Sequence, residues 1–241
     1  MDRRTFLKTV PTLTVLASTG ASIAEEAGAP TPPTASPTTG ELQPIALPKP
    51  QTEGGKSVLA ALQERKTIRN IRAEKLPPQV LSNLLWAAFG INRENGPSGR
   101  TGRTAASASN SQEIDLYVAL PEGVYLYEAV GHRLTPVVAG DFRARAGRRG
   151  AATCPVNILY VVDIAKYSKA PFQEPGLRDT EIQKSYYYVD TGLIAGNVYL
   201  FAASQGLAAW FHNCNKEDTV REFKLRPEQR VLFAQSVGYP A

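Results

Sequence analysis

Residues 64–71 read Glu-Arg-Lys-Thr-Ile-Arg-Asn-Ile, which places three cations and a hydroxyl, Arg65, Lys66, Thr67 and Arg69, within five positions. In an extended segment side chains alternate, so Arg65, Thr67 and Arg69 project to one side while Lys66 and Ile68 point away. Guanidinium forks beside a hydroxyl suit a phosphate or another anion, because charge-assisted hydrogen bonds are roughly twice as strong as neutral ones. A solvated basic patch is the plain alternative, since short basic runs are common at helix ends and surfaces. A second polar stretch, 105–112, gathers Ser107, Asn110 and Gln112 among small residues that let a flat ligand come close.

Other constellations exclude more than they offer. Gly55-Lys56-Ser57 lacks the glycine that a phosphate loop needs five residues before Gly55, where Pro50 stands, and no apolar strand precedes it. His212 and Cys214 would share a strand face, but no third group is visible to orient them as base and nucleophile. His132, His212, Cys154 and Cys214 show no local metal-ligand spacing. A disulfide between the two cysteines requires their strand ends to be neighbours in an oxidising compartment.

The elements that must position these groups follow from periodicity. Ser57 caps a predicted helix over 58–65, with Val58, Leu59 and Leu62 on one face, and this helix delivers the basic stretch at its end. After Pro77-Pro78 a second helix carries Val80, Leu81, Leu84, Leu85 and Ala88 at helical spacing, and Gly90 closes it. Ile114–Leu120 alternates into a strand, Pro121-Glu122-Gly123 turns it, and 124–127 returns as the partner of a hairpin. The arginines of 141–150 (Arg143, Arg145, Arg148 and Arg149) read as a solvated surface. The unbroken apolar run 156–162 is typical of a strand covered on both faces. Residues 182–203 form the longest helical candidate, apolar on most sides, with Gly192 and Gly196 one turn apart and Asp190 and Asn197 as interruptions. Such a helix is expected to be buried nearly all round, as a central core or dimer helix, and its apolar length is too short to span a membrane. A strand over 207–212, a helix over 216–223 and a strand over 231–237 complete an α+β domain.

Residues 1–24 read as a targeting segment: a basic start, an apolar run over 10–17, and small residues ending in Ser22-Ile23-Ala24. Asp2-Arg3-Arg4-Thr5-Phe6-Leu7-Lys8 resembles the twin-arginine export signal, with Asp2 where Ser or Thr is usual. That resemblance implies a protein exported already folded and a periplasmic mature chain. Residues 25–50 are rich in Pro, Thr, Ala and Gly and are expected to be a disordered tether, leaving 51–241 as one domain of roughly 190 residues. Much of the formal charge of +5 belongs to the targeting segment; without Arg3, Arg4, Lys8 and Asp2 the net is +3, which argues against a nucleic-acid partner.

Over about residues 57–240 the pieces resemble the nitroreductase family of flavoproteins, which bind FMN at a homodimer interface. Family members open with a helix ending in an Arg-x-Ser-x-Arg-like motif that holds the flavin phosphate and the pyrimidine edge of the ring; Arg65, Lys66, Thr67 and Arg69 occupy those places. Ala106-Ser107-Ala108-Ser109-Asn110-Ser111-Gln112 is similar to the family's Pro-Ser-x-x-Asn-x-Gln flavin stretch, with Ala106 in place of the proline. Several segments, among them Leu84-Leu85-Trp86-Ala87-Ala88-Phe89-Gly90-Ile91 and Gly102-Arg103-Thr104-Ala105, resemble the branch of dehydrogenases that oxidise azolines in ribosomal peptides. Gly206-Leu207-Ala208-Ala209-Trp210 is similar to the family strand leading into the loop that faces flavin N5, which would be Asn213-Cys214-Asn215 here. Many relatives carry a further Lys or Arg after the final Val-Gly-Tyr strand. Tyr239-Pro240-Ala241 stand there in this chain, so phosphate neutralisation is expected to rest on Arg65, Arg69 and Arg103. The resemblance implies ping-pong hydride transfer through FMN, from a small electron donor to an acceptor such as a quinone or nitroaromatic, in a mostly antiparallel mixed sheet flanked by helices. The alternative is an exported flavin-binding relic of the family without turnover.

Overall fold

The computed structural model describes residues 41–241 apart from Pro97, Ser98, Arg148 and the side chain of Arg149. The expected export signal and most of the expected tether lie outside the described residues. In chain order the elements are β1 (Ile45–Ala46), α1 (Val58–Glu64), α2 (Pro78–Phe89), β2 (Ile91–Arg93), β3 (Gly102–Arg103), β4 (Ile114–Leu120), β5 (Gly123–Glu128), β6 (Arg133–Ala139), β7 (Val156–Asp163), α3 (Thr180–Ser204), β8 (Ala208–His212), α4 (Lys216–Glu222) and β9 (Gln229–Gly238). Seven strands make one sheet in the order β1-β6-β5-β4-β7-β9-β8, and every neighbouring pair runs antiparallel. This is the α+β architecture expected from the sequence.

The sheet is covered on both faces. Along β4, Leu116, Val118 and Leu120 face the larger cluster, which also holds residues of α2 and α3, while Tyr117 and Ala119 face a smaller cluster with Phe223, Ala146 and Ala151. Strand β7 divides in the same way, with Ile158, Tyr160 and Val162 on one side and Leu159 and Val161 on the other. Two-sided burial is the reason its sequence is an unbroken apolar run.

Three expectations change. Residues 41–50 pack instead of acting as a tether: β1 pairs with β6, and Leu42, Ile45 and Leu47 lie against the larger core. Ser82 Oγ donates to the Pro48 carbonyl at 2.5 Å and is hydrogen-bonded to His132 Nε2 at 2.7 Å, so buried α2 holds this arm directly. The arginine-bearing segment is a set of clamps as well as a surface. Arg143 binds Asp141 and the Cys154 carbonyl, and Arg145 binds both carboxylate oxygens of Glu222. Helix α3, finally, is not buried all round within one chain: Ile182 (40% exposed), Val189 (60%) and Leu193 (45%) form an apolar stripe on its outer side. The face of α1 bearing Val58, Leu59 and Leu62 is exposed too. No helix among the described residues is long and apolar enough to cross a membrane.

Candidate functional site

Helix α1 ends where the Arg65 N–H closes on the Ala61 carbonyl, and the chain then runs extended. Backbone bonds pin it there: Ile68 N–H donates to Ala209 O at 3.1 Å, Arg72 N–H to Tyr239 O at 2.9 Å, and Ala241 N–H to Asn70 O at 3.0 Å. The expected alternation follows. The Arg65 guanidinium lies over the Tyr199 ring at 5.5 Å, Thr67 Oγ1 is 3.1 Å from Tyr199 Oη, and the Arg69 guanidinium lies over Trp210 at 5.9 Å. Lys66 and Ile68 line a small cavity with Glu64, Ala202 and Leu207, which Tyr199 also borders. Among the described residues none of Arg65, Lys66 and Arg69 has an ion-pair partner, so Arg65 and Arg69 on one side of the segment, and Lys66 on the other, are without a bound counter-charge. Tyr199 and Trp210, the aromatic faces beneath two of them, escaped the sequence reading because they lie more than a hundred residues away along the chain. Further along the same segment Arg72 lies over Tyr239 of the C-terminal tail at 5.7 Å.

The 107–112 stretch is a knotted turn, in which only 108–110 makes a single 3-10 turn. Ser109, Asn110 and Gln112 take left-handed backbone conformations, with φ of 51°, 52° and 52°. Asn tolerates that region better than Ser or Gln, so the turn stores conformational energy that its hydrogen bonds must offset. Ser107 Oγ accepts from Gln112 N–H at 3.0 Å, Gln112 Nε2 donates to Thr101 O and Asn110 Oδ1, and Arg103 Nε donates to Gln112 Oε1 at 2.8 Å. Gln112 is thus buried and committed to fixing the turn. Asn110 Nδ2 and the hydroxyl hydrogen of Ser107 remain uncommitted among the described residues. Arg103 also donates to Phe89 O at 2.9 Å and lies over the Phe89 ring; burial lowers its pKa. It faces an open cleft of about 350 Å³ with Arg100, Lys166 and Lys169 instead of joining Arg65 and Arg69.

The 213–215 loop is tied to the first group through β8. Trp210, under Arg69, packs on His212 with ring centroids 4.5 Å apart, and His212 Nδ1 is 2.9 Å from Asn213 O. Asn213 is exposed and its Oδ1 accepts from Cys214 N–H. Cys214 packs against the smaller core, where burial pushes its thiol up to about 11, so it stays protonated at neutral pH. Cys154 is buried with its Sγ toward the Gly150 carbonyl, and both cysteines are free thiols.

Helix α3 carries both polar groups. The knotted turn meets it at Asp190, whose Oδ2 accepts from Ala108 N–H at 2.9 Å, and the nearby Asn197 Nδ2 donates to Thr104 O at 3.2 Å. Thr67 meets it at Tyr199. At about 100° per residue, Asp190 and Asn197 share one side and Tyr199 lies on the opposite side. The exposed stripe of Ile182, Val189 and Leu193 runs between them, with open space where a Cβ on Gly192 or Gly196 would project. One chain therefore keeps the two groups on opposite flanks of a helix.

The antiparallel α+β domain thus presents cations without ion-pair partners and a strained polar turn on either flank of one helix. The chain belongs to the nitroreductase family, whose sequence model matches residues 62–239. A putative nitroreductase of Methanocaldococcus jannaschii is 25% identical over 188 residues, covering 73% of this chain and 88% of that protein. The crystal structure of a putative nitroreductase from Ralstonia eutropha is 30% identical and superposes with a TM-score of 0.72 over 86% of this chain and 98% of that one. A putative nitroreductase from Anabaena variabilis shares the fold at 15% identity and a TM-score of 0.61, over 76% of this chain and 38% of its own.

Proposed function

We propose that the chain is an FMN-dependent oxidoreductase that works as a homodimer. Each flavin would be held by Arg65, Lys66, Thr67, Arg69 and the Asn213-Cys214 loop of one protomer, together with Ser107 and Asn110 of the other. Carrying this reading is the position of the exposed stripe on α3: it separates the two polar groups within a chain, and a two-fold axis through it brings the group of one copy to the complementary group of the second. Exposed apolar faces on α1 and α3 are available to such a contact.

The donor set fits FMN. Arg65 and Lys66 are free to take a phosphate, Thr67 offers a hydroxyl beside them, and Arg69 extends toward β8, where a cation suits the pyrimidine edge of the ring. The knotted turn leaves Asn110 Nδ2 and the Ser107 hydroxyl as donors, while Gln112 and Arg103 hold the turn in shape. Bound FMN would supply ping-pong hydride chemistry between a small electron donor and an acceptor such as a quinone or nitroaromatic. Cys214, kept protonated, borders that site as a neutral wall and not as a nucleophile. The twin-arginine-like start supports loading of the cofactor before export to the periplasm, and the branch resemblance in α2 supports a scaffold like that of the azoline dehydrogenases.

The test is the purified protein itself. A yellow preparation releasing one FMN per chain on denaturation, with a sedimentation mass twice that of the 26.1 kDa monomer, is expected. A colourless protein that binds no added FMN, or a monomer retaining full flavin, contradicts the reading.

A further inference from the structure

We propose that Asp190 and Glu113 share one proton inside the folded chain, with Asp190 donating to Glu113 Oε1, and that this carboxyl clamp holds the 107–112 turn in place. Both residues are deeply buried, Asp190 at 5% exposure and Glu113 at 0%. The turn engages one oxygen of each: Asp190 Oδ2 accepts from Ala108 N–H, and Glu113 Oε2 accepts from Ser111 Oγ at 2.5 Å. Among the described residues just two buried side-chain polar atoms lack a partner, Glu113 Oε1 and Thr191 Oγ1, and the first is the oxygen that a proton on Asp190 would satisfy.

Two buried carboxylates within hydrogen-bonding reach of each other, without a cation, cannot both stay ionised, and one proton between them removes the repulsion and fills the orphan acceptor. The groups facing the pair do not provide that cation. From the 164–169 segment comes Tyr167, whose hydroxyl donates to Gln183 O, lies within hydrogen-bonding reach of Glu113 as well, and has its titration pushed far up, first by burial; from α3 comes Tyr187. Lys166, on the same segment, is bound to Asp115 and to the Gln112 carbonyl, and Glu174 accepts from Ser109 at the rim. Asp190 is pushed up to about 8, first by burial and then by Glu113, against the opposing Ala108 N–H.

The proton therefore lies directly behind a turn that the proposed function assigns to the flavin, which makes Asp190 and Glu113 positioning residues. The sign of the pH dependence follows from the raised value. The folded chain binds a proton that the unfolded chain releases at ordinary carboxylate pH, so the pair's contribution to stability is greatest at low pH and declines as pH rises toward about 8. Above that, two negative charges face each other behind the turn, and the Ala108 and Ser111 contacts loosen.

Infrared titration of the full-length parent and of Asp190→Asn tests this, with melting curves across pH 5–9.5. The parent should show a buried carboxylic-acid carbonyl band at pH 7 that shifts in D2O and disappears with a midpoint near 8. Asp190→Asn keeps an amide donor for Glu113 and a carbonyl for Ala108 N–H, so it should lack that band and lose the decline in melting temperature between pH 6 and 9. No such band in the parent at pH 7, or the same band in both proteins, overturns the proposal. The infrared titration of the parent decides even where the variant does not fold. These signals need no cofactor: if flavin binding fails while band and melting shift persist, the functional reading falls and the clamp stands, whereas FMN bound normally without the band removes the clamp alone.

Discussion

The two polar groups flanking α3 are built in opposite ways. The 65–69 segment is open: Arg65 and Arg69 rest on aromatic faces, its cations have no carboxylate partners among the described residues, and backbone bonds pin the segment. The 103–112 segment is closed, with Arg103, Gln112 and Asn110 bound to one another and to main-chain carbonyls, and two buried carboxyls behind. Residues poised for a ligand keep their hydrogen-bonding capacity, whereas residues that shape a site give it up to the fold. Most of the distinction is therefore readable from which groups remain uncommitted, and it separates the effects of substitution in the two regions.

The largest effect is expected in the closed region. Arg103→Ala leaves Gln112 Oε1 and the Phe89 carbonyl without their donor, and a buried acceptor left unsatisfied costs about 1–3 kcal/mol. A loss of about 2–4 kcal/mol in denaturant unfolding is expected, with flavin retention falling alongside it. Unchanged stability would mean that the turn does not depend on Arg103, and the two regions would no longer differ in kind.

Next come the cations of the open region, which should act on ligand and not on fold. Arg65→Ala is expected to change the stability of the flavin-free protein by less than about 0.5 kcal/mol, as for other surface positions. Loss of one charge-assisted bond, about 1.5–3 kcal/mol, should weaken FMN binding by about 10–150-fold in a fluorescence titration. Arg69→Ala should be the smaller and more specific change. A cation beside the pyrimidine edge favours reduced, anionic flavin, so its removal should lower the potential by about 30–60 mV, less where water screens the charge. A redox titration at saturating FMN measures it, and equal potentials would make Arg69 another phosphate contact.

How much of this was legible in the sequence varied with the range of the interactions. Strands β4, β7 and β9 and helix α3 declared themselves through unbroken or periodic apolar runs, because local pattern and burial agree there. Strand β6 did not: after Arg133, Leu134 and Thr135 alternate, Pro136 and a register shift interrupt the run, and β5 beside it fixes its pairing. Residues 41–50 were hidden by their Pro-rich neighbourhood, although Leu42, Ile45 and Leu47 carry the contacts. Asp190 and Asn197 were legible as interruptions in α3, but their tasks, accepting from Ala108 and donating to Thr104, depend on segments some 80 to 90 residues earlier. A still longer separation hid Tyr199 behind Thr67, whereas Arg103 looked like a companion of Arg65 by charge alone, although its partners Gln112 and Phe89 are near in sequence.

The most direct test of a site assembled from two copies is complementation between them. One differently tagged chain would carry Arg65→Ala with Arg69→Ala, the other Ser107→Ala with Asn110→Ala, and the mixed dimer would be purified through both tags. Each homodimer should be nearly empty, because both of its sites lack one wall. The mixed dimer should retain one FMN, since one of its two sites draws the intact 65–69 segment from one chain and the intact turn from the other. A mixed dimer as empty as its parents would contradict the account and place the whole flavin site within a single chain.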